Sequence, residues 1–212
     1  MNKQGDFSWK LFNKAPVVGI LRGQPLDLIL WIANVYEKAG LSTLEVTMNT
    51  PGATKIIAAL RNQFPNLNIG AGTVCAPKDL DLALSAGAQF IVTPILDLKV
   101  IQTCAENNIP VFPGAFTPTE IYQAWSAGAD AVKVFPATQL GTRYIKDIIG
   151  PLNKIKLLPT GGVTAENLAS FLKAGAIGAG MGSALLKPEL IHARDAVGLE
   201  KHFRFIKQST QF

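Results

Sequence analysis

The chain has 212 residues, 48% of them hydrophobic, two cysteines and a formal net charge of +5. That apolar content can fill a full core, and no linker-like or low-complexity stretch divides it, so one domain spanning 1–212 is expected. Two cysteines exclude a disulfide framework, no apolar run is long enough to cross a bilayer, and the first ten residues lack the apolar core of a signal peptide; a soluble cytoplasmic protein with no membrane partner is the expectation.

The basic residues are scattered along the chain. Their densest cluster, Lys201, Arg204 and Lys207, has helical spacing and reads as a solvated helix face rather than a track for nucleic acid. A modest positive excess suits an anionic small molecule.

In chain order, a short helix is predicted over 7–13, ahead of a first strand over 17–22. Further strands follow at 43–47, 68–72, 90–93, 111–114, 131–135, 156–159 and 178–181. Helices fill the gaps. Four of them stop at Ala-Gly pairs, at Gly40, Gly87, Gly128 and Gly175, where glycine takes the left-handed conformation without a Cβ penalty. The others end near Pro65, Pro110 and Pro151. Short strands alternating with helices imply parallel βαβ units, and eight of them in this length fit a compact (β/α)8 TIM barrel with a short N-terminal helix. A doubly wound open sheet is the alternative. It lacks its expected Gly-x-Gly-x-x-Gly turn after the first strand, where Leu-Arg-Gly-Gln-Pro stands instead.

Side chains alternate in and out along a strand. With Val132 and Val134 toward the helices, Ala131, Lys133 and Phe135 turn inward. With Leu44 and Val46 toward the helices, Thr43, Glu45 and Thr47 turn inward. These strands share parity and lie across the barrel, so Glu45 and Lys133 can meet in one central layer. An ammonium in so apolar a strand loses hydration at a cost of several kcal/mol. Two readings stand: a structural ion pair, or an amine of lowered pKa that attacks a ketone while Glu45 moves protons.

At the barrel mouth Arg22 can clamp a carboxylate, with a surface ion pair as the plain alternative. Gly70-Ala71-Gly72-Thr73 ends the third strand with residues small enough for a ligand to approach backbone. Pro159-Thr160-Gly161-Gly162-Val163-Thr164 and Gly180-Met181-Gly182-Ser183 follow the last two strands, where barrels often bind phosphate. His192 and His202 fall beyond the last strand, and no Cys/His cluster suggests a metal site. Cys75 has no histidine near it in sequence and reads as incidental.

The chain resembles the class I 2-keto-3-deoxy-6-phosphogluconate (KDPG) aldolases and their phosphogalactonate and 4-hydroxy-2-oxoglutarate relatives, from about residue 17 to 183. The motifs are Leu-Glu-Val-Thr (44–47), Gly-Ala-Gly-Thr-Val (70–74), Ile-Val-Thr-Pro (91–94), Pro-Gly-Ala-Phe-Thr-Pro-Thr-Glu (113–120), Lys-Val-Phe-Pro-Ala (133–137), Leu-Pro-Thr-Gly-Gly-Val (158–163) and Gly-Ser-Ala-Leu (182–185). The resemblance implies that Lys133 forms an imine with pyruvate or the keto acid and that Glu45 is the general acid/base. It further implies that Arg22 and Thr73 hold the carboxylate end, that Pro94 and Phe135 line the pocket, and that Thr160, Gly161, Gly162 and Ser183 receive phosphate. It implies a homotrimer, no cofactor, and small-molecule partners: pyruvate and a phosphorylated keto acid.

Two positions depart from the common pattern. Asn49 stands where many KDPG aldolases carry arginine, and Thr138 where many relatives carry an acid. The gluconate-type keto acid is the first expectation, with the galactonate type and 4-hydroxy-2-oxoglutarate as alternatives. A phosphosugar isomerase, or a non-catalytic phosphometabolite binder with a structural Lys133–Glu45 pair, would use the same barrel. Only an aldolase needs a nucleophilic amine at Lys133.

Overall fold

The computed structural model describes residues 7–211. Helix α1 (Trp9–Lys14) comes first and strand β1 (Val17–Leu21) follows it. The predicted helix began two residues earlier. Ser8 sets the start instead, its hydroxyl accepting from the Leu11 amide at 3.2 Å.

The chain then alternates: α2 (Leu26–Lys38), β2 (Thr43–Thr47), α3 (Ala53–Gln63), β3 (Asn68–Gly72), α4 (Pro77–Ser85), β4 (Ile91–Val92), α5 (Leu98–Glu106), β5 (Val111–Phe112) and β6 (Gly114–Ala115). After these come α6 (Pro118–Ser126), β7 (Val132–Val134), α7 (Gly141–Ile149), β8 (Leu157–Pro159), α8 (Ala165–Lys173), β9 (Ala179–Met181), α9 (Pro188–His192) and α10 (Ala196–Gln208). Gly40, Gly87, Gly128 and Gly175 all have positive φ, as their role as helix stops requires.

All strand pairs are parallel. Six strands run in the order β5-β4-β3-β2-β1-β9 and three in the order β6-β7-β8. The predicted fifth strand is split because Pro113 has no N–H to give the ladder. Its two pieces serve both sheets: Phe112 pairs with Val92, and Gly114 with Lys133. A single bridge, Thr160 to Gly180, joins the end of β8 to β9. With β5 and β6 read as one strand, the pairings close an eight-membered ring, the TIM-barrel architecture.

Two apolar clusters follow from the alternation. Val132, Val134, Leu44, Val46, Ile69, Ala71 and Ile91 pack outward among the helices. Val18, Phe90, Phe112, Ala131 and Leu158 point into the barrel and pack with Phe12. Helix α1 closes that end. Its Phe12 is fully buried, and Trp9 and Phe7 meet Phe112 and Phe90 edge-on or tilted. Asn68 pins the helix start through both backbone groups of Ser8, at 2.8 and 3.0 Å. Burying each such phenyl ring contributes about 1.5–3 kcal/mol. The opposite, C-terminal end of the barrel stays open.

Candidate active site

Glu45 and Lys133 occupy the layer above this aromatic floor. Both face inward, and they are 2% and 5% exposed. Glu45 pairs in register with Gly70, and its carboxylate lies over Gly72, where any Cβ would collide with Oε1. Phe90 fills the equivalent space beside Gly70. The glycines of β3 thus seat a ring below and a carboxylate above.

Burial is the main influence on both titratable groups. It holds the Lys133 ammonium below its ordinary range, with the Glu45 charge opposing this and Arg22 adding to it. It pushes the Glu45 carboxyl up, against the cations of Lys133 and Arg22. The close ion pairs among the described residues are Arg143–Asp147, Arg194–Asp27 and Arg204–Glu200, and they leave Glu45 and Lys133 out. The pair is coupled across the barrel without a tight contact. Lys133 Nζ lies 4.7 Å from the centroid of the Phe135 ring, a cation–π distance.

The other predicted residues gather around this centre. Arg22 lies just beyond β1, and its Nη2 donates to Thr73 Oγ1 at 3.4 Å. Thr73 has a φ of 56°, unusual for a β-branched residue, and it turns the chain over the end of β3. The Pro94 backbone leans on Gly114, which pairs with Lys133, so Pro94 is brought beside the lysine strand.

Arg22, Phe135, Thr160, Gly161, Gly162 and Ser183 share the wall of one cavity of about 480 Å³. Gly161 and Gly162 have φ of 93° and 72°. A Cβ on Gly162 would come within 2.9 Å of Thr138 Oγ1, so the loop is tight as well as left-handed. Asn167 anchors it from α8, donating from Nδ2 to the Gly162 carbonyl at 2.9 Å and accepting from the Thr164 amide at 2.8 Å. Thr160 sits on Gly180, where a Cβ would meet its hydroxyl.

Sequence reasoning missed several parts of this arrangement. Gln24 and Ile20 line the same cavity. Thr50 accepts from the Gly23 amide at 3.0 Å and bonds Thr47 at 2.9 Å, tying the Arg22 loop to the strand of Glu45. Gln24 had a usable signal: it follows Arg22-Gly23 in a loop at the strand's C-terminal end. The supporting threonine had none, since the Gly23 amide it meets is distant in sequence; Asn167 stands three residues after Thr164, the spacing of a capping box, which was a local signal. Cys75 is exposed, and its thiol is pushed up by partial burial and by Asp79, an unreactive setting. Among the described residues no group of three or more His, Cys, Asp or Glu could hold a metal ion.

The open end of the parallel barrel thus holds a buried amine, an opposed carboxylate and, beside them, a glycine-lined cavity. The model of the family "KDPG and KHG aldolase" matches residues 10–201, and the chain belongs to that family. It is similar to the 2-dehydro-3-deoxy-6-phosphogalactonate aldolase of Escherichia coli, 38% identical over 176 residues, covering 82% of this chain and 86% of the relative. It is also 36% identical over 180 residues to the 2-dehydro-3-deoxy-phosphogluconate aldolase of Haemophilus influenzae, with 84% and 85% covered. The solved KDPG aldolase of Legionella pneumophila, with pyruvate captured as a covalent carbinolamine intermediate, superposes with a TM-score of 0.86 at 29% identity. That match covers 93% of this chain and 96% of the other. The isomerase and passive-binder readings give way to a carbon–carbon lyase.

Proposed function

We propose that the chain reversibly cleaves 2-dehydro-3-deoxy-6-phosphogluconate to pyruvate and glyceraldehyde 3-phosphate through an imine on Lys133. The observation that carries this reading is the amine itself, inward-facing, 5% exposed and destabilised as ammonium by burial. A free amine attacks the ketone, and loss of water from the carbinolamine gives an iminium. Breaking the bond between carbons 3 and 4 sends its electron pair into that iminium, so no metal is called for. The carbon 4 hydroxyl gives its proton to Glu45 as the aldehyde leaves. Glu45 returns a proton to carbon 3 of the enamine, and hydrolysis frees pyruvate.

In this reading Arg22 and Thr73 hold the carboxylate, Pro94 and Phe135 wall the reacting carbons, and Thr160, Gly161, Gly162 and Ser183 take the phosphate. The neighbouring left-handed glycines and the N-terminus of α8 suit an anion. The galactonate-type keto acid is the second reading, favoured by the 38% identical relative. 4-Hydroxy-2-oxoglutarate, which carries no phosphate, is expected to react more weakly. We also place the protein in the cytoplasm as a homotrimer. None of the described helices is long and apolar enough to cross a membrane, and the exposed Ile95, Leu98 and Phe116 offer apolar surface for assembly.

The test is borohydride reduction in the presence of pyruvate, with mass mapping of the product, beside kcat/KM on the three keto acids. Attachment at Lys133 is expected. Attachment elsewhere, or none, removes the mechanism, and a clear preference for another keto acid replaces the substrate.

A further inference from the structure

The cavity wall offers four polar side chains, Arg22, Gln24, Thr160 and Ser183. Three have partners or a role. Arg22 donates to Thr73, Thr160 donates to the Leu158 carbonyl at 3.4 Å, and Ser183 belongs to the loop assigned to phosphate. Gln24 is half-buried, and its amide makes no hydrogen bond to the described residues.

Its backbone setting is firm. The preceding Gly23 amide donates to Thr50 Oγ1 at 3.0 Å. The following Pro25 caps α2, its carbonyl accepting from Ile29 at 3.0 Å. A residue before proline is confined to extended conformations. The side chain is therefore presented to the cavity from a loop fixed on both sides.

A primary amide donates through its nitrogen and accepts through its oxygen. That chemistry suits a hydroxyl, which also does both. It suits a carboxylate or phosphate less well, because the amide oxygen would face another acceptor. Resting on the aldolase reading above, the substrate has two hydroxyls. The one on carbon 4 gives its proton to Glu45. The one on carbon 5, beside the phosphate-bearing carbon, has no partner assigned.

We propose that Gln24 is a specificity-determining residue that binds the carbon 5 hydroxyl, which is the hydroxyl of glyceraldehyde 3-phosphate. It contributes discrimination for a hydroxylated aldehyde phosphate and takes no part in the imine chemistry.

The test is aldol addition of pyruvate to two aldehydes: D-glyceraldehyde 3-phosphate, and 3-oxopropyl phosphate, which lacks only the hydroxyl. In Gln24→Leu, kcat/KM for the hydroxylated aldehyde should fall roughly 5–30-fold, the loss of one hydrogen bond, and change less than about twofold for the other. Exchange of the pyruvate methyl protons should match wild type, which shows that the variant is folded and its lysine competent. A similar fall on both aldehydes, or no fall on either, overturns the assignment while wild-type turnover leaves the aldolase reading standing. Wild-type protein that neither exchanges pyruvate protons nor adds either aldehyde overturns both.

Discussion

The space that Gly72 leaves by having no side chain is the space the Glu45 carboxylate occupies. The two residues sit on neighbouring strands, and Thr47, two residues on from Glu45, is the one that pairs with Gly72. A methyl at this glycine would thus act on the carboxylate directly. Gly72→Ala should slow exchange of the pyruvate methyl protons by about 10²–10⁴-fold, the size of a lost general acid/base. It should destabilise the fold by about 1–3 kcal/mol, as overpacking does. Exchange by NMR and chemical denaturation check the two parts, and wild-type exchange would separate the glycine from the chemistry.

Glu45→Gln keeps the volume and removes the proton transfer proposed for this carboxyl. Exchange should drop by about 10²–10⁴-fold here too, with little loss of stability. Borohydride trapping at Lys133 should persist, since the amine remains. A variant that exchanges normally would return Glu45 to a structural role.

Lys133→Arg should abolish both trapping and cleavage, because guanidinium stays protonated and forms no imine. Mass mapping after pyruvate and borohydride, together with a cleavage assay, gives the answer. Turnover retained in this variant would remove the imine.

The pH dependence follows from the direction of the lysine shift. Its pKa lies below 10.5, through burial first and Arg22 in addition. Attack needs the free amine, so kcat/KM should rise with pH along a limb centred below 10.5. Arg22→Gln removes a nearby cation and should move that limb to higher pH. For stability, the unfolded chain holds the lysine proton more tightly than the folded one. Between the folded pKa and 10.5 the unfolded state binds more protons, so stability rises as pH rises through that window. Lys133→Met should lack this gain, as denaturation at several pH values will read. The buried Glu45 carboxyl, raised above 4.5, has the opposite sign: stability is lost as pH climbs from 4.5 through its folded pKa.

Gly162→Ala forces an alanine to a φ of 72° against Thr138. It should lower kcat/KM for the phosphorylated keto acid and leave pyruvate proton exchange near wild type, because remote binding energy positions the reacting bond. Equal effects on both measurements would detach this loop from the phosphate.

The alternation of a few strands carried much of this in the sequence. Val132 and Val134 on one strand and Leu44 and Val46 on another face the helices in the structure, which is why Lys133 and Glu45 face each other's side of the barrel. The paired glycines after β8 were legible because their backbone angles suit few other residues. Strand ends were less so. Pro113 divides the fifth strand, and the first strand stops at Leu21, leaving Arg22 outside the ladder. Thr50 was silent, since a polar residue in a loop reads the same whether it meets water or a partner folded in from elsewhere, here the Gly23 amide.

The single bridge between Thr160 and Gly180 gives the barrel a seam. On one side of it lies the six-stranded shell, with Glu45 within β2 and Arg22 and Ser183 beyond the ends of β1 and β9; on the other lies the three-stranded shell, with Lys133, Phe135 and Gly161. Glu45 and Lys133 therefore ride on separate staves, held together at this edge by very few backbone bonds. On the proposed reading, an anion gripped by Gly161, Gly162 and Ser183 would bridge that joint like a rivet, and the group farthest from the reacting carbons would also fix how far apart the two staves stand.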